Sequence, residues 1–149
     1  MNFTIRKLKK NDFQKGFLET LNNLFPVMIQ EKKAKQIFRQ VSSNPFYHFI
    51  IAEQNGDIIG TLSLLIEQKF ILRGSKFAHI EDVVIRKGYE RKGIGTRLLQ
   101  EAMRVARKEK CRVARLDCNK TTVGFYEKNG FYRKRGVFRM QIKLMKDLF

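Results

Sequence analysis

Tryptophan is absent from this chain, and proline, cysteine and histidine occur only twice each in 149 residues. Cys111 and Cys118 have no metal-like spacing. His48 and His79 lie far apart and belong to no ligand motif, so no metal site is expected. Both cysteines sit in or beside an apolar stretch, where a reduced thiol acts as a small hydrophobe; a disulfide and a catalytic thiol are the alternatives. No apolar run approaches the roughly 18–20 residues of a membrane span. Near the start, Arg6, Lys7, Lys9, Lys10 and Asp12 have no apolar block behind them, which argues against a secretory signal and for a cytoplasmic protein. Acidic residues are scarce as well, 14 against 31 Lys and Arg, for a net charge of +17. Such an excess favours nucleic acid, anionic lipid or small phosphorylated ligands, or else forms a basic solvated face.

What is present supports one folded domain over residues 1–149. Hydrophobic residues make up 43% and include 13 Phe, enough for a packed core at this length. No repeat, low-complexity tract or linker divides the chain. Phe3, Ile5 and Leu8 read as a strand. Asn11 and Gln14 read as a helix cap with its partner, ahead of Phe13, Phe17, Leu18, Leu21 and Leu24 at helical spacing as far as Pro26. Ala34, Ile37, Phe38 and Val41 predict a second helix over 30–41, closed by Asn44-Pro45. Residues 47–53 and 57–67 flank Gln54-Asn55-Gly56 as an antiparallel hairpin, and 77–85 is a further strand after the break at Gly74. Ile94, Leu98, Leu99, Ala102, Met103 and Ala106 share one helical face. A short strand over 113–116, a short helix over 121–129 with Gly130 as its left-handed cap, and a strand over 137–144 complete the chain. The order β-α-α-β-β-β-α-β-α-β predicts an α/β (α+β) sandwich on a mixed sheet.

The sharpest local feature is Lys92-Gly93-Ile94-Gly95-Thr96, between a strand and a strongly amphipathic helix. Glycines at a helix entrance allow close approach to a ligand and leave N–H groups free, and the helix dipole favours a phosphate or pyrophosphate there. Arg86, Lys87, Arg91, Lys92 and Arg97 are expected to form a cationic rim. The third glycine of a dinucleotide fingerprint is missing, since Leu98 stands there, and no P-loop string occurs.

Several segments resemble the GNAT acetyltransferases. Glu90-Arg91-Lys92-Gly93-Ile94-Gly95 is similar to their pyrophosphate turn, and residues 125–131, FYEKNGF, to their late aromatic segment. Residues 60–71, Ala78-His79-Ile80-Glu81-Asp82-Val83-Val84, Leu116-Asp117-Cys118 and Gly16-Phe17-Leu18 resemble, more narrowly, glucosamine-6-phosphate N-acetyltransferases. The resemblance implies a mostly antiparallel twisted sheet flanked by helices. It also implies transfer of an acetyl group from acetyl-CoA directly to a small-molecule amine, with glucosamine 6-phosphate as the acceptor. The chain departs from that pattern at Glu90, Arg91 and Thr122, at Leu24-Phe25-Pro26, and at Leu72 and Lys143, which replace a histidine and a phosphate-holding arginine. Another amine (a polyamine, an amino sugar or a peptide amine) is therefore the alternative acceptor. A basic nucleic-acid-binding module is the remote one, since no such motif is present and the Phe residues sit at core-like spacing.

Amide formation from a thioester needs a neutral amine, a polarised carbonyl and help for the departing thiolate. A carboxylate beside the amine can take its proton, directly or through a water. Glu81 and Asp82 are neighbours on a strand, so a regular strand points them to opposite faces. The resemblance implies a bulge there that brings both into the acceptor pocket, and it assigns Asp117 to the amine. It further implies that the backbone at Val83, Val84 and Ile85 holds the pantetheine arm and polarises the acetyl oxygen. The pyrophosphate falls to Arg91, Lys92, Gly93, Ile94, Gly95 and Thr96, with Thr122 facing the coenzyme. Tyr126 is the candidate acid for the leaving sulfur as well as a cofactor contact. Lys69, Leu72 and Lys143 are the remaining candidate acceptor contacts, the two lysines as cations for an anionic acceptor. A homodimer through the late strands is expected, because the resemblance implies pairing there and because residues 137–144 place apolar and aromatic side chains on alternate positions of an exposed strand.

Overall fold

The computed structural model describes residues 2–133 and 142–147. Alternating side chains give a long hairpin, β2 (Tyr47–Gln54) and β3 (Asp57–Gln68), joined through Asn55 and Gly56, whose φ values of 51° and 88° suit a two-residue turn. β1 (Thr4–Lys7) adds to the outer edge of β2, and β4 (Lys76–Ile85) pairs with β3, all antiparallel. β5 (Cys111–Cys118) lies parallel to β4, which the crossover helix α4 (Ile94–Lys108) permits. β7 (Ile142–Asp147) pairs with β5, and the two-residue β6 (Tyr132–Arg133) closes the described sheet in the order β1-β2-β3-β4-β5-β7-β6. The expected mixed, mostly antiparallel α/β fold is therefore the one found.

Two cores sandwich the sheet. On one face Leu98, Leu99, Ala102, Met103 and Ala106 of α4 bury against Ile50, Leu62, Leu64, Ile80 and Leu116. This is the helical stripe visible in the sequence. On the other face Phe13, Phe17 and Ala34 pack on Ile51 and Ile58, beneath α1 (Phe17–Leu21) and α2 (Glu31–Ser42). Burial of these apolar side chains drives the assembly at about 25 cal/mol per Å2.

Three expectations need correction. The first helix is not continuous. Lys10–Gln14 is a 3-10 turn, and Gly16 at φ 79° breaks the chain before α1. Asn11 and Gln14 are not its cap pair; the Asp12 carboxylate accepts from the Lys9 N–H at 2.7 Å, and it also takes two bonds from Arg6, at 2.7 and 2.8 Å. β5 is twice as long as the apolar stretch suggested, because Arg112, Arg115 and Asp117 take exposed or half-buried places between buried residues without ending the strand. The break at Gly74 is a one-turn segment, α3 (Ile71–Gly74), in which Leu72 and Arg73 are left-handed at φ 52° and 58°. Of the terminal strand expected over 137–144, residues 137–141 lie outside the described residues, and β7 continues to Asp147.

Candidate active site

The site begins where two parallel strands part. β4 and β5 are paired only as far as His79 opposite Arg115, yet β4 runs on to Ile85 and β5 to Cys118. Their carboxyl ends enclose a cleft of about 280 Å3. Clefts at this edge of a sheet with a helical crossover are the usual ligand position. Glu81, Asp82 and Val83 of β4 line one wall; Asp117, Cys118 and Asn119 line the other; Thr122 and Tyr126 close it from α5 (Val123–Lys128).

A β-bulge lets Glu81 and Asp82 share that cleft. Ser63 lies opposite Glu81 and Thr61 opposite Val84, so three steps on β4 match two on β3. Asp82 absorbs the extra residue at φ 51°, a left-handed conformation that an aspartate tolerates and a β-branched residue would not. The re-aiming that the resemblance implied therefore has a structural cause. Burial, with Asp82 and Asp117 nearby, pushes the Glu81 carboxyl above its usual value, which brings it toward the range of a working base.

The free edge of β4 faces the same opening. The Arg86 N–H donates to the Ile59 carbonyl at 2.9 Å across β3. Alternation then turns the N–H of Ile85, and of Val83 two residues earlier, toward the side that β5 has left. Val84 lies between them, buried and paired opposite Thr61. Tyr126 is buried edge-to-face against Phe125 and Phe131, with ring centroids 5.0 and 6.1 Å away. Burial pushes its phenol up to about 12, so it is a proton donor at any ordinary pH.

The glycine turn adjoins this edge. Arg91 and Gly93 are left-handed at φ 58° and 79°, and α4 makes its first bond from the Arg97 N–H to the Gly93 carbonyl at 3.1 Å. The N–H groups of Ile94, Gly95 and Thr96 therefore precede the helical ladder and have no acceptor within it. A Cβ on Gly93 would meet nothing within 4 Å, so open space adjoins the turn where a pyrophosphate would lie. Gly95 has a different reason to be glycine: its Cβ would stand 2.9 Å from Phe125 Cζ. Arg91 and Lys92 are exposed at the turn, and the Lys92 ammonium donates to the Gly88 carbonyl at 2.8 Å. Arg86 does not join the expected rim. It runs under α1 to the Gly16 carbonyl at 2.8 Å and Thr20 Oγ1 at 3.2 Å. The open edge, the free N–H groups and the cationic turn together fit a pyrophosphate-bearing coenzyme.

Other candidates stand elsewhere. Lys69 pairs with Glu67, which also accepts from Arg115 at 2.9 Å and meets His79 Nε2 at 2.6 Å. The bond from Lys69 comes first in holding the Glu67 carboxyl down, at about 2. Neither Lys69 nor Leu72 lines the cleft. Lys143 lies opposite Asp117 in the β5–β7 register. Leu24 and Phe25, where the chain departs from the sugar-phosphate pattern, do line the cleft, whereas sequence reasoning missed three lining residues, Ile80, Cys118 and Asn119. Asn119 had a local signal, since its Oδ1 closes the turn ahead of α5 by accepting from the N–H groups of Thr121 and Thr122, both at 3.0 Å. Cys111 matches its structural reading: it is fully buried, and burial raises its thiol to about 11.

The comparisons with known proteins agree with this geometry. The model of the acetyltransferase (GNAT) family matches residues 11–131. The chain is 36% identical over 131 residues to glucosamine 6-phosphate N-acetyltransferase of Candida albicans, covering 86% of this chain and 88% of that protein. It is 32% identical over 128 residues to glucosamine 6-phosphate N-acetyltransferase 1 of Dictyostelium discoideum, covering 84% and 82%. The crystal structure of the Arabidopsis thaliana glucosamine-6-phosphate N-acetyltransferase superposes with a TM-score of 0.88 at 30% identity, over 93% of this chain and 97% of that one. With the parted strands, the bulge and the glycine turn in place, the chain belongs to the acetyltransferase (GNAT) family and is an acetyl-CoA-dependent N-acetyltransferase.

Proposed function

We propose that this enzyme acetylates the amine of glucosamine 6-phosphate. One observation carries the reading: the bulge at Asp82 gathers Glu81, Asp82, Asp117 and Tyr126 around a single cleft beside the glycine turn. The relatives' names supply the acceptor. Acetyl-CoA brings the activated acetyl thioester. Arg91, Lys92 and the N–H groups of Ile94, Gly95 and Thr96 hold its pyrophosphate, and Thr122 lies beside it. The Val83 and Ile85 N–H groups hold the arm and polarise the acetyl oxygen, positioned by Val84 packing into the core. Asp82 and Asp117 orient the acceptor ammonium, and Glu81, with its raised pKa, takes the proton that must leave before the nitrogen can attack. Tyr126 returns a proton to the sulfur.

Lys143 supplies a cation for the acceptor's phosphate, from the register position beside Asp117. Lys69 and Leu72 lie away from the cleft of their own chain. In this reading they act only if a second copy brings them there, as in a homodimer built through the late strands. The 149 residues act as one cytoplasmic catalytic domain; among the described residues no helix is long and apolar enough to cross a membrane. The test is thiol release from acetyl-CoA with glucosamine 6-phosphate against glucosamine. A large preference for the phosphorylated sugar, reduced by Lys143→Ala, supports the proposal; equal kcat/KM for the two sugars refutes it.

A further inference from the structure

A second opening adjoins the carboxylates. Between α1, α2 and the sheet lies a cavity of about 170 Å3, walled by Phe13, Phe17, Leu21, Phe38 and Phe49. Its sheet end is polar: Thr61, Ser63 and Asp82. Asp82 is thus common to this cavity and to the catalytic cleft. Its carboxylate has no hydrogen bond or ion pair among the described residues. Ser63, at the same end, lies directly opposite Glu81 in the β3–β4 register, and such pairs hold their Cβ atoms roughly 4.5–5.5 Å apart. An apolar cavity of this order, about 150 Å3, stays dry and takes a single aromatic ring.

An aromatic-walled cavity with one unpaired carboxylate at its mouth matches a particular chemistry: an ammonium on a short linker to an apolar body. Glucosamine 6-phosphate has no apolar body, and its reading makes no use of this space. The ring of an arylalkylamine would bury against four phenylalanines, and its nitrogen would emerge at Asp82, next to the base.

We propose that the enzyme has a second acceptor class, primary amines whose aryl or branched alkyl end fills the cavity between α1, α2 and the sheet while the ammonium pairs with Asp82. The inference rests on Glu81 and Asp82 facing the acceptor amine, and it is independent of the sugar phosphate. The reaction balances as in the parent activity. Glu81 takes one ammonium proton, the nitrogen lone pair forms the bond to the acetyl carbon, the carbon–sulfur bond breaks toward sulfur, and Tyr126 gives that sulfur a proton. The products are the N-acetyl amide and the free thiol.

The test is thiol release by the full chain with 2-phenylethylamine against methylamine, which share the amine and differ in the ring. The expected kcat/KM is at least about tenfold higher for 2-phenylethylamine, because a buried apolar group discriminates by that order or more. Ala34 lines the cavity, and Ala34→Phe fills it. That variant should lose the tenfold preference and keep its turnover of glucosamine 6-phosphate. Val41→Phe fills the same space from the next turns of α2 and serves if the first variant does not fold. In the unaltered enzyme, 2-phenylethylamine should also compete with glucosamine 6-phosphate. Equal kcat/KM for the two amines overturns the inference, as does a filled cavity that leaves 2-phenylethylamine turnover intact. Acetylation of 2-phenylethylamine without that of glucosamine 6-phosphate upholds it and removes the sugar phosphate reading instead.

Discussion

Gly93 and Gly95 flank a single residue, yet alanine at each should fail in a different way. At Gly93 the backbone is left-handed, φ 79°, and an added Cβ meets open space. Alanine there costs about 1–2 kcal/mol of conformational strain. A stiffer unfolded chain returns roughly 0.4–1 kcal/mol of it. The net loss of about 1 kcal/mol lowers Tm by roughly 2–4 °C. The methyl projects into the space read as the pyrophosphate position, so acetyl-CoA affinity should fall. At Gly95 the backbone is helical, and the added Cβ lies 2.9 Å from Phe125 Cζ. Restoring an ordinary contact of about 3.5 Å moves that ring by roughly 0.6 Å, the difference between the two distances. Overpacking of this kind costs about 1–3 kcal/mol, offset by roughly 0.8–1 kcal/mol of helix propensity. Phe125 precedes Tyr126 on a helix of six residues, so the shift reaches the phenol proposed to protonate the sulfur.

The assays are calorimetric titration with acetyl-CoA and kcat at saturating acetyl-CoA and acceptor. Gly93→Ala should weaken binding and leave saturated kcat nearly intact. Gly95→Ala should lower saturated kcat, by up to about 10²-fold if the phenol is displaced far enough. Phe125→Leu, which removes the clashing atom, should rescue Gly95→Ala and leave Gly93→Ala unrescued, a coupling readable in a double-mutant cycle. The reasoning is refuted if Phe125→Leu fails to rescue Gly95→Ala in folded protein, or if Gly93→Ala binds acetyl-CoA as tightly as the parent.

Four further outcomes are expected. Tyr126→Phe should reduce kcat by about 10²–10⁴-fold with acetyl-CoA affinity unchanged; an unaltered kcat in stopped-flow or steady-state assays would remove the phenol from the chemistry. Glu81→Gln should abolish the acid limb of the pH–rate profile. Because the folded carboxyl titrates above its ordinary 4.5, its contribution to stability is complete below that value and is lost as pH rises through the raised one. Glu81→Gln should therefore melt higher than the parent at neutral pH, and a lower melting temperature there would contradict the sign. Asp12 is buried, which raises its carboxyl, but the bonds from Arg6 and the Lys9 N–H outweigh this and hold it below 3.8. Asp12→Ala should cost about 1–3 kcal/mol in urea unfolding, since the Lys9 N–H loses its acceptor while Glu53 still holds the Arg6 guanidinium at 2.7 Å, and the parent should lose this support only as pH falls below that ordinary value. Sedimentation at micromolar concentration should give twice the monomer mass, and a monomer would refute pairing through the late strands.

Residues a few positions apart carry their meaning in the sequence, and that much could be read without a structure. The apolar stripe of α4, the hairpin around Asn55-Gly56, the glycine entrance at Gly93 and the cap at Gly130 all depend on local periodicity and local φ preference, which the chain encodes directly. The family resemblance worked for a related reason, since its segments are those same local pieces in order. What the sequence did not hold was register and convergence. The bulge was implied only by the family resemblance, and that Asp82 would be the residue to take it up, that β4 and β5 would part after His79 and Arg115, and that Asn119 and Cys118 would line the opening depend on pairing between strands distant in sequence. The same holds for charges and glycines. Arg86 lies under α1 and Lys69 at Glu67 because a long cation takes the nearest buried acceptor or carboxylate, and Gly95 answers to a phenylalanine thirty positions later. Local conformation follows from the covalent chain, whereas the choice of neighbour is made only when the two cores close on the sheet.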